Sequence, residues 1–170
     1  SSDLFREKAC LPYTGRLRVL KTILSYDYLW MNVRVLGGAY GCMTAMKRSG
    51  CSYFVSYRDP HLRETLDIFR ALPEYLRKLE LDERTMTKYI IGAVSEMDHP
   101  LNASAKGSFA LLAYLAGLTD EDFQREREEV LSADPAGIRA LAEYMQAVID
   151  SGNICVIGSE SAVEANQDLF

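Results

Sequence analysis

Residues 32–41 read Asn32-Val33-Arg34-Val35-Leu36-Gly37-Gly38-Ala39-Tyr40-Gly41, and the architecture turns on them. Leu17, Leu20, Leu24, Tyr28 and Met31 lead up to this stretch at helical spacing and form one apolar stripe. Thr14 is the expected N-cap of that helix. The helix should end before Gly37-Gly38, where glycine can supply the left-handed residue that closes a helix C-terminus. Beyond the glycines the period changes to two. Residues 40–47 and 51–57 are rich in aromatic, Thr, Val and Met side chains, and Arg48-Ser49-Gly50 between them is turn chemistry. This predicts a β-hairpin. Pairing across the turn sets Cys42 opposite Ser56 or Tyr57 and leaves Cys51 by the turn, too far along the ladder for a disulfide.

Working outward, Asp59-Pro60 pairs an N-cap with a proline at the first helical position, so a helix is expected there. Its stripe is Leu62, Leu66, Phe69, Leu76 and Leu79, and Pro73 should kink or split it. Asp82 caps a helix carrying Met86, Ile90, Ala93, Val94 and Met97, which Asp98-His99-Pro100 stops. Another helix is expected over residues 104–115, with Gly117 behind it. Thr119-Asp120-Glu121-Asp122 is a capping-box variant with an acidic first turn, placed before Phe123. Asp134-Pro135 opens a last long helix with Ile138, Leu141, Met145 and Val148 on one face, closed by Gly152. Asn153-Ile154-Cys155-Val156-Ile157-Gly158 reads as a short buried strand, followed by a short polar helix or tail. The expected class is α+β: a small, mostly antiparallel sheet packed against several helices. Three strands are few for so many helices, so strands outside this chain are expected to complete the sheet.

The chain has 170 residues, the length of one domain, and 48% of them are hydrophobic, enough to bury a sizeable core. Its formal net charge is -5, and its Lys and Arg are scattered, which argues against a nucleic-acid partner. No apolar run approaches the roughly twenty residues of a transmembrane helix, so no membrane partner is expected. Cys10, Cys42, Cys51 and Cys155 include no Cys-x-x-Cys pair and are expected as reduced, small buried apolar residues.

Few residues can carry chemistry. His61 and His99 are the only histidines, far apart in sequence, and neither His-Glu-x-x-His nor its inverse occurs. A metal site within this chain is therefore not expected. Gly-x-Ser-x-Gly is absent, and the glycine cluster follows a helix and precedes a strand, the reverse of a phosphate-cradling loop. Arg34 and Tyr40 remain. Brought to one spot by Gly37 and Gly38, they could hold a carbonyl oxygen or a peptide backbone. Spacing alone favours the plainer reading, in which Arg34 complements the helix C-terminus and Tyr40 packs as a strand aromatic.

Several blocks decide between these readings. Ser25-Tyr26-Asp27-Tyr28-Leu29-Trp30, then Val33-Arg34-Val35-Leu36-Gly37-Gly38-Ala39-Tyr40-Gly41, then Ser56-Tyr57-Arg58-Asp59-Pro60, strongly resemble the last domain of pitrilysin/insulinase-type zinc metallopeptidases of the presequence-protease, falcilysin-like group. Lys88-Tyr89-Ile90-Ile91-Gly92 and Leu118-Thr119-Asp120-Glu121 extend the likeness, which runs from about Gly15 onward. The resemblance implies a metallopeptidase-like domain of the LuxS/mitochondrial-processing-peptidase type. It implies a parent of related α/β domains in two halves that close around a peptide. Zinc would be held in the first domain by His-x-x-Glu-His and a later Glu, outside this chain. The last domain would contribute an Arg and a Tyr that reach the substrate, matching Arg34 and Tyr40 here.

The zinc motif is missing, and residues 4–12 do not read as the strand that precedes the first helix in the family. The chain, with its polar Ser1-Ser2-Asp3 start, is therefore expected to be one incomplete C-terminal domain, residues 1–170, of a zinc endopeptidase acting on unstructured peptides. Its partners would be the remaining domains and the peptide, and the chain alone would be inactive. A non-catalytic relative serving as a binding or assembly subunit is the alternative, as is a free-standing interaction module. The expected compartment is the cytoplasm, with the mitochondrial matrix or another organelle as alternative.

Overall fold

The structure, a computed structural model, describes residues 12–169. Its central element is a helical run over residues 16–36. This opens as α1 (Arg16–Ile23) and continues through π-helical turns at Leu24–Tyr28 and Trp30–Leu36. There the amides reach five residues back: Leu29 N–H donates to the Leu24 carbonyl, and Gly37 N–H to that of Asn32. The extra residue per turn rotates later side chains off the ordinary helical stripe. Leu17, Leu20, Leu24 and Tyr28 are buried as expected. Met31 is instead 47% exposed, and Leu29 and Val33 are fully buried in its place. The helix starts one residue after the expected cap: Gly15 is the N-cap, and both its N–H and the Thr14 hydroxyl bond Glu129.

The hairpin forms as expected. β1 (Gly41–Met46) pairs antiparallel with β2 (Ser52–Tyr57), with Cys42 opposite Ser56. Thr44 and Met46 turn into the core, and Phe54 stacks on Phe69 at 5.3 Å between ring centroids. Met43, Tyr53, Val55 and Tyr57 stay exposed on the other face. Cys42, Cys51 and Cys155 are free thiols. Cys42 and Cys51 are half-buried, but Cys155 is exposed, contrary to its expected burial, because its segment packs into no sheet. Cys10 and most of the stretch 4–12 lie outside the described residues.

The helices follow. α2 (Leu62–Arg77) starts after the expected Asp59-Pro60, since the Asp59 carboxylate is occupied by the His61 N–H at 2.9 Å and the Thr65 hydroxyl at 2.7 Å. Pro73 does not split it: buried beside Leu72 and Leu76, it sits within an unbroken helix, and core packing offsets the lost hydrogen bond. α3 (Glu83–Met97) is capped by Asp82, which accepts the Thr85 N–H. α4 (Ala103–Leu115) is capped by Asn102, and α5 (Asp120–Leu131) opens with the Thr119–Asp122 capping box. The expected last helix is two, α6 (Pro135–Ala140) and α7 (Ala142–Asp150), broken at Leu141, whose ψ is −4°. Ile138 and Met145, on either side of the break, are both fully buried. A short helix α8 (Glu160–Glu164) and a 3-10 turn (Gln167–Leu169) follow.

The expected strand over residues 153–158 is absent. Among the described residues the sheet has only β1 and β2, so the segment has no ladder partner, and Ile157 is 97% exposed. The class is α+β, as expected, with a smaller sheet. α1 packs against α3, α5, α6 and β1 at the centre of the core. α4 stands apart: none of its residues is buried, and Phe109, Leu111, Leu112, Tyr114 and Leu115 are all exposed.

One buried carboxylate ties these parts together. Glu126 on α5 is 3% exposed and accepts from the Tyr13 hydroxyl at 2.6 Å, Arg18 Nε at 2.5 Å and Arg48 Nη2 at 2.5 Å. Arg18 lies on α1 and Arg48 in the hairpin turn. Burial pushes the Glu126 carboxyl up, but the hydrogen bonds from Tyr13, Arg18 and Arg48 outweigh it and hold it below its ordinary value. A carboxyl held low in the folded state adds stability at neutral pH, and that stability is lost as pH falls through its folded pKa. Glu126→Ala should cost about 1.5–3 kcal/mol in denaturant unfolding at neutral pH, because it removes the charged hydrogen bonds that Tyr13, Arg18 and Arg48 make to one buried carboxylate. The wild-type advantage over this variant should shrink as the pH is lowered below the ordinary carboxylate range, because the Glu126 carboxyl is held low in the folded state. An advantage that stays constant throughout that fall in pH would refute the ionic role.

Candidate functional site

The turn between the helical run and β1 is shaped by its glycines. At Gly37 a Cβ would come within 2.6 Å of the Val33 carbonyl oxygen, so only glycine fits. Gly38 takes φ +75°, the left-handed conformation expected of a helix closure. The Gly38 N–H donates to the Arg34 carbonyl at 3.1 Å, and the Ala39 N–H to that of Val33 at 3.2 Å. Ala39 is buried at 3% exposure, and the chain emerges as Tyr40, just ahead of β1.

This turn brings the Arg34 side chain to the main chain of Tyr40. Arg34 Nε donates to the Tyr40 main-chain carbonyl at 3.1 Å. Its guanidinium lies 4.0 Å from the centroid of the Trp30 ring, one helical turn back, a cation–π contact that fixes the plane of the fork. Arg34 is half-buried, whereas Tyr40 is 67% exposed with its hydroxyl free of any hydrogen bond among the described residues. The Tyr40 ring meets Tyr57 edge-on at 6.0 Å. The Arg58 guanidinium lies over both rings, 5.6 Å from Tyr40 and 5.4 Å from Tyr57. The site is thus an exposed platform of two cations and three aromatic rings, with the Tyr40 hydroxyl unpartnered among the described residues. Such a surface can bind a carbonyl oxygen or an extended peptide backbone.

Trp30, Tyr57 and Arg58 were not among the expected site residues. Trp30 could have been found from its four-residue spacing to Arg34. Tyr57 and Arg58 belong to the platform only because the hairpin folds back beside the turn. His61 and His99 are both exposed, at the start of α2 and just after α3. Among the described residues no group of three or more His, Cys, Asp or Glu could hold a metal ion, and no helix is long and apolar enough to cross a membrane.

Comparison with known proteins gives the platform its setting. Residues 3–160 match the family described as the PreP C-terminal domain. The chain is 45% identical over 158 residues to Protein HypA of Clostridium perfringens (strain 13 / Type A), covering 93% of this chain and 16% of that protein. It is 38% identical over 152 residues to presequence protease 1, chloroplastic/mitochondrial, of Arabidopsis thaliana, covering 89% of this chain and 14% of that protein. It is 31% identical over 152 residues to the mitochondrial presequence protease of Kluyveromyces lactis, covering 88% and 15%. The chain thus spans only 14–16% of the length of these relatives. The glycine turn and its platform are therefore features of a domain that belongs to the presequence-protease C-terminal domain family.

Proposed function

We propose that this chain is the substrate-contacting C-terminal part of a zinc-dependent endopeptidase that degrades unstructured peptides. The observation that carries this reading is the pairing of Arg34 and Tyr40 at one exposed spot, with the Tyr40 hydroxyl free and the Arg34 fork held by Trp30. In this reading Arg34 donates to the peptide backbone and orients it. Tyr40 donates its hydroxyl to the carbonyl oxygen under attack, whose charge grows as the tetrahedral intermediate forms. The described residues hold no group of three or more His, Cys, Asp or Glu that could bind a metal, and in this reading the zinc, which would supply an activated water, sits outside this chain. The chain alone is then expected to be inactive.

The other domains of the parent are the proposed partners. The short length relative to the relatives and the uncovered apolar residues of α4 support this, since an apolar helix is stable in water only when something covers it. The organellar names of the plant and yeast relatives support the organellar alternative to a cytoplasmic location. A non-catalytic subunit is the second reading; the presence of both Arg34 and Tyr40 weighs against it, because an inactive subunit has no use for them.

In the full-length protein, Arg34→Ala and Tyr40→Phe should each lower peptide turnover by about 100- to 1000-fold, the effect of losing one donor to a developing oxyanion, with bound zinc unchanged. Unaltered kinetics in both variants would sink the assigned roles. Gly38→Ala forces a side chain into the left-handed conformation and should cost about 1–2 kcal/mol in unfolding free energy, and it should lower turnover as well by moving Tyr40 relative to Arg34.

A further inference from the structure

Arg58 is the only non-glycine residue with positive φ among the described residues, at +48°. An arginine in the left-handed region is held there at a cost, and such positions concentrate where geometry serves function. What the strain achieves can be read from the strand. Successive side chains of β2 point to opposite faces, so Arg58 in regular strand geometry would point away from its neighbour Tyr57. The left-handed turn instead lays its guanidinium over the rings of both Tyr57 and Tyr40. The same residue holds Tyr40 through the main chain, since the Arg58 carbonyl accepts the Tyr40 N–H at 3.3 Å.

The carboxylate next to Arg58 in sequence is already engaged. Asp59 accepts the His61 N–H and the Thr65 hydroxyl, and Arg58 takes part in no ion pair among the described residues. Tyr40 and Tyr57 are 67% and 53% exposed, so little else limits the Tyr40 ring. The ring has the Tyr57 edge on one side and the Arg58 cation over its face. These contacts restrict the rotation of the ring and so the position of its hydroxyl.

We propose that Arg58 is a positioning residue for Tyr40: its strained backbone and its cation hold the Tyr40 ring so that the hydroxyl meets the substrate carbonyl. This rests on the substrate-contacting role of Tyr40 given above. The test is peptide turnover by the full-length protein with Arg58→Asn, because asparagine tolerates the left-handed backbone but carries no cation. We expect kcat to fall about 10- to 100-fold, as for a misplaced catalytic group, with KM and the thermal unfolding midpoint little changed. Arg58→Lys, which keeps a cation on a flexible stem, should recover part of the loss. In a Tyr40→Phe background, Arg58→Asn should have no further effect, because no hydroxyl is left to position.

If Tyr40→Phe lowers turnover but Arg58→Asn does not, the positioning role is wrong and the Tyr40 role stands. An equal Arg58→Asn loss in both backgrounds also overturns it, because Arg58 would then act independently of Tyr40. If Tyr40→Phe has no effect, the Tyr40 role fails and the Arg58 role falls with it. Should Arg58→Asn not fold, Arg58→Gly, which fits φ +48° with less strain, gives the same comparison.

Discussion

The hydrogen bonding of the helical run over residues 16–36 is the constraint on which the other elements depend. Where its amides switch from four residues back to five, the helix rotates relative to its sequence. Leu29 and Val33 turn inward and continue the core begun by Leu17, Leu20 and Leu24. The same rotation leaves Trp30 and Arg34 on the accessible side, stacked on one another. Core and site are thus two faces of one irregular helix. Asn32 helps to accommodate the irregularity, donating its side-chain amide to the Tyr28 carbonyl at 2.8 Å.

Around this helix the chain is fastened at points distant in sequence. Glu126 gathers Tyr13, Arg18 and Arg48, so a single carboxylate joins α1, α5 and the hairpin turn. Tyr28 donates its hydroxyl to the Ile68 carbonyl at 2.7 Å, bringing α2 against the helical run. Ser52 and Tyr144 share a hydrogen bond at 2.8 Å, which seats β2 on α7. Arg48 and Ser52 fasten the turn end of the hairpin, and the Tyr40 N–H donated to the Arg58 carbonyl closes its open end, so the end of β2 lies beside the glycine turn. Tyr57 and Arg58 therefore reach Tyr40 from across the ladder.

The site has few moving parts. Glycine at position 37 lets the chain pass close to its own helix, and Gly38 reverses its direction. Arg34 is tied to the main chain of Tyr40, so the spacing between the arginine fork and the tyrosine is set by backbone geometry as well as by side-chain choice. The Tyr40 hydroxyl stays unpartnered among the described residues while its ring meets Tyr57 and Arg58. This combination of a fixed base and free polar ends suits the binding of a flexible peptide.

The sequence by itself determined the hairpin and its register, the caps at Asp82 and Thr119, and the glycine closure of the first helix. These are legible because they depend on local chemistry: glycine and proline at fixed offsets, side-chain caps, and alternation around a turn. The resemblance carried by residues 25–60 pointed to the family. Tertiary structure decided the rest. Pro73 stays within one helix because burial of Leu72 and Leu76 outweighs the local penalty. Leu141 breaks the last helix where core contacts lie on both sides. Residues 153–158 have the composition of a strand, yet no neighbouring strand supplies the ladder that would make them one. Trp30, Tyr57 and Arg58 join the site through spatial proximity that no local pattern encodes. Sequence periodicity reports the preferences of a segment; what packs against that segment decides whether they are realised.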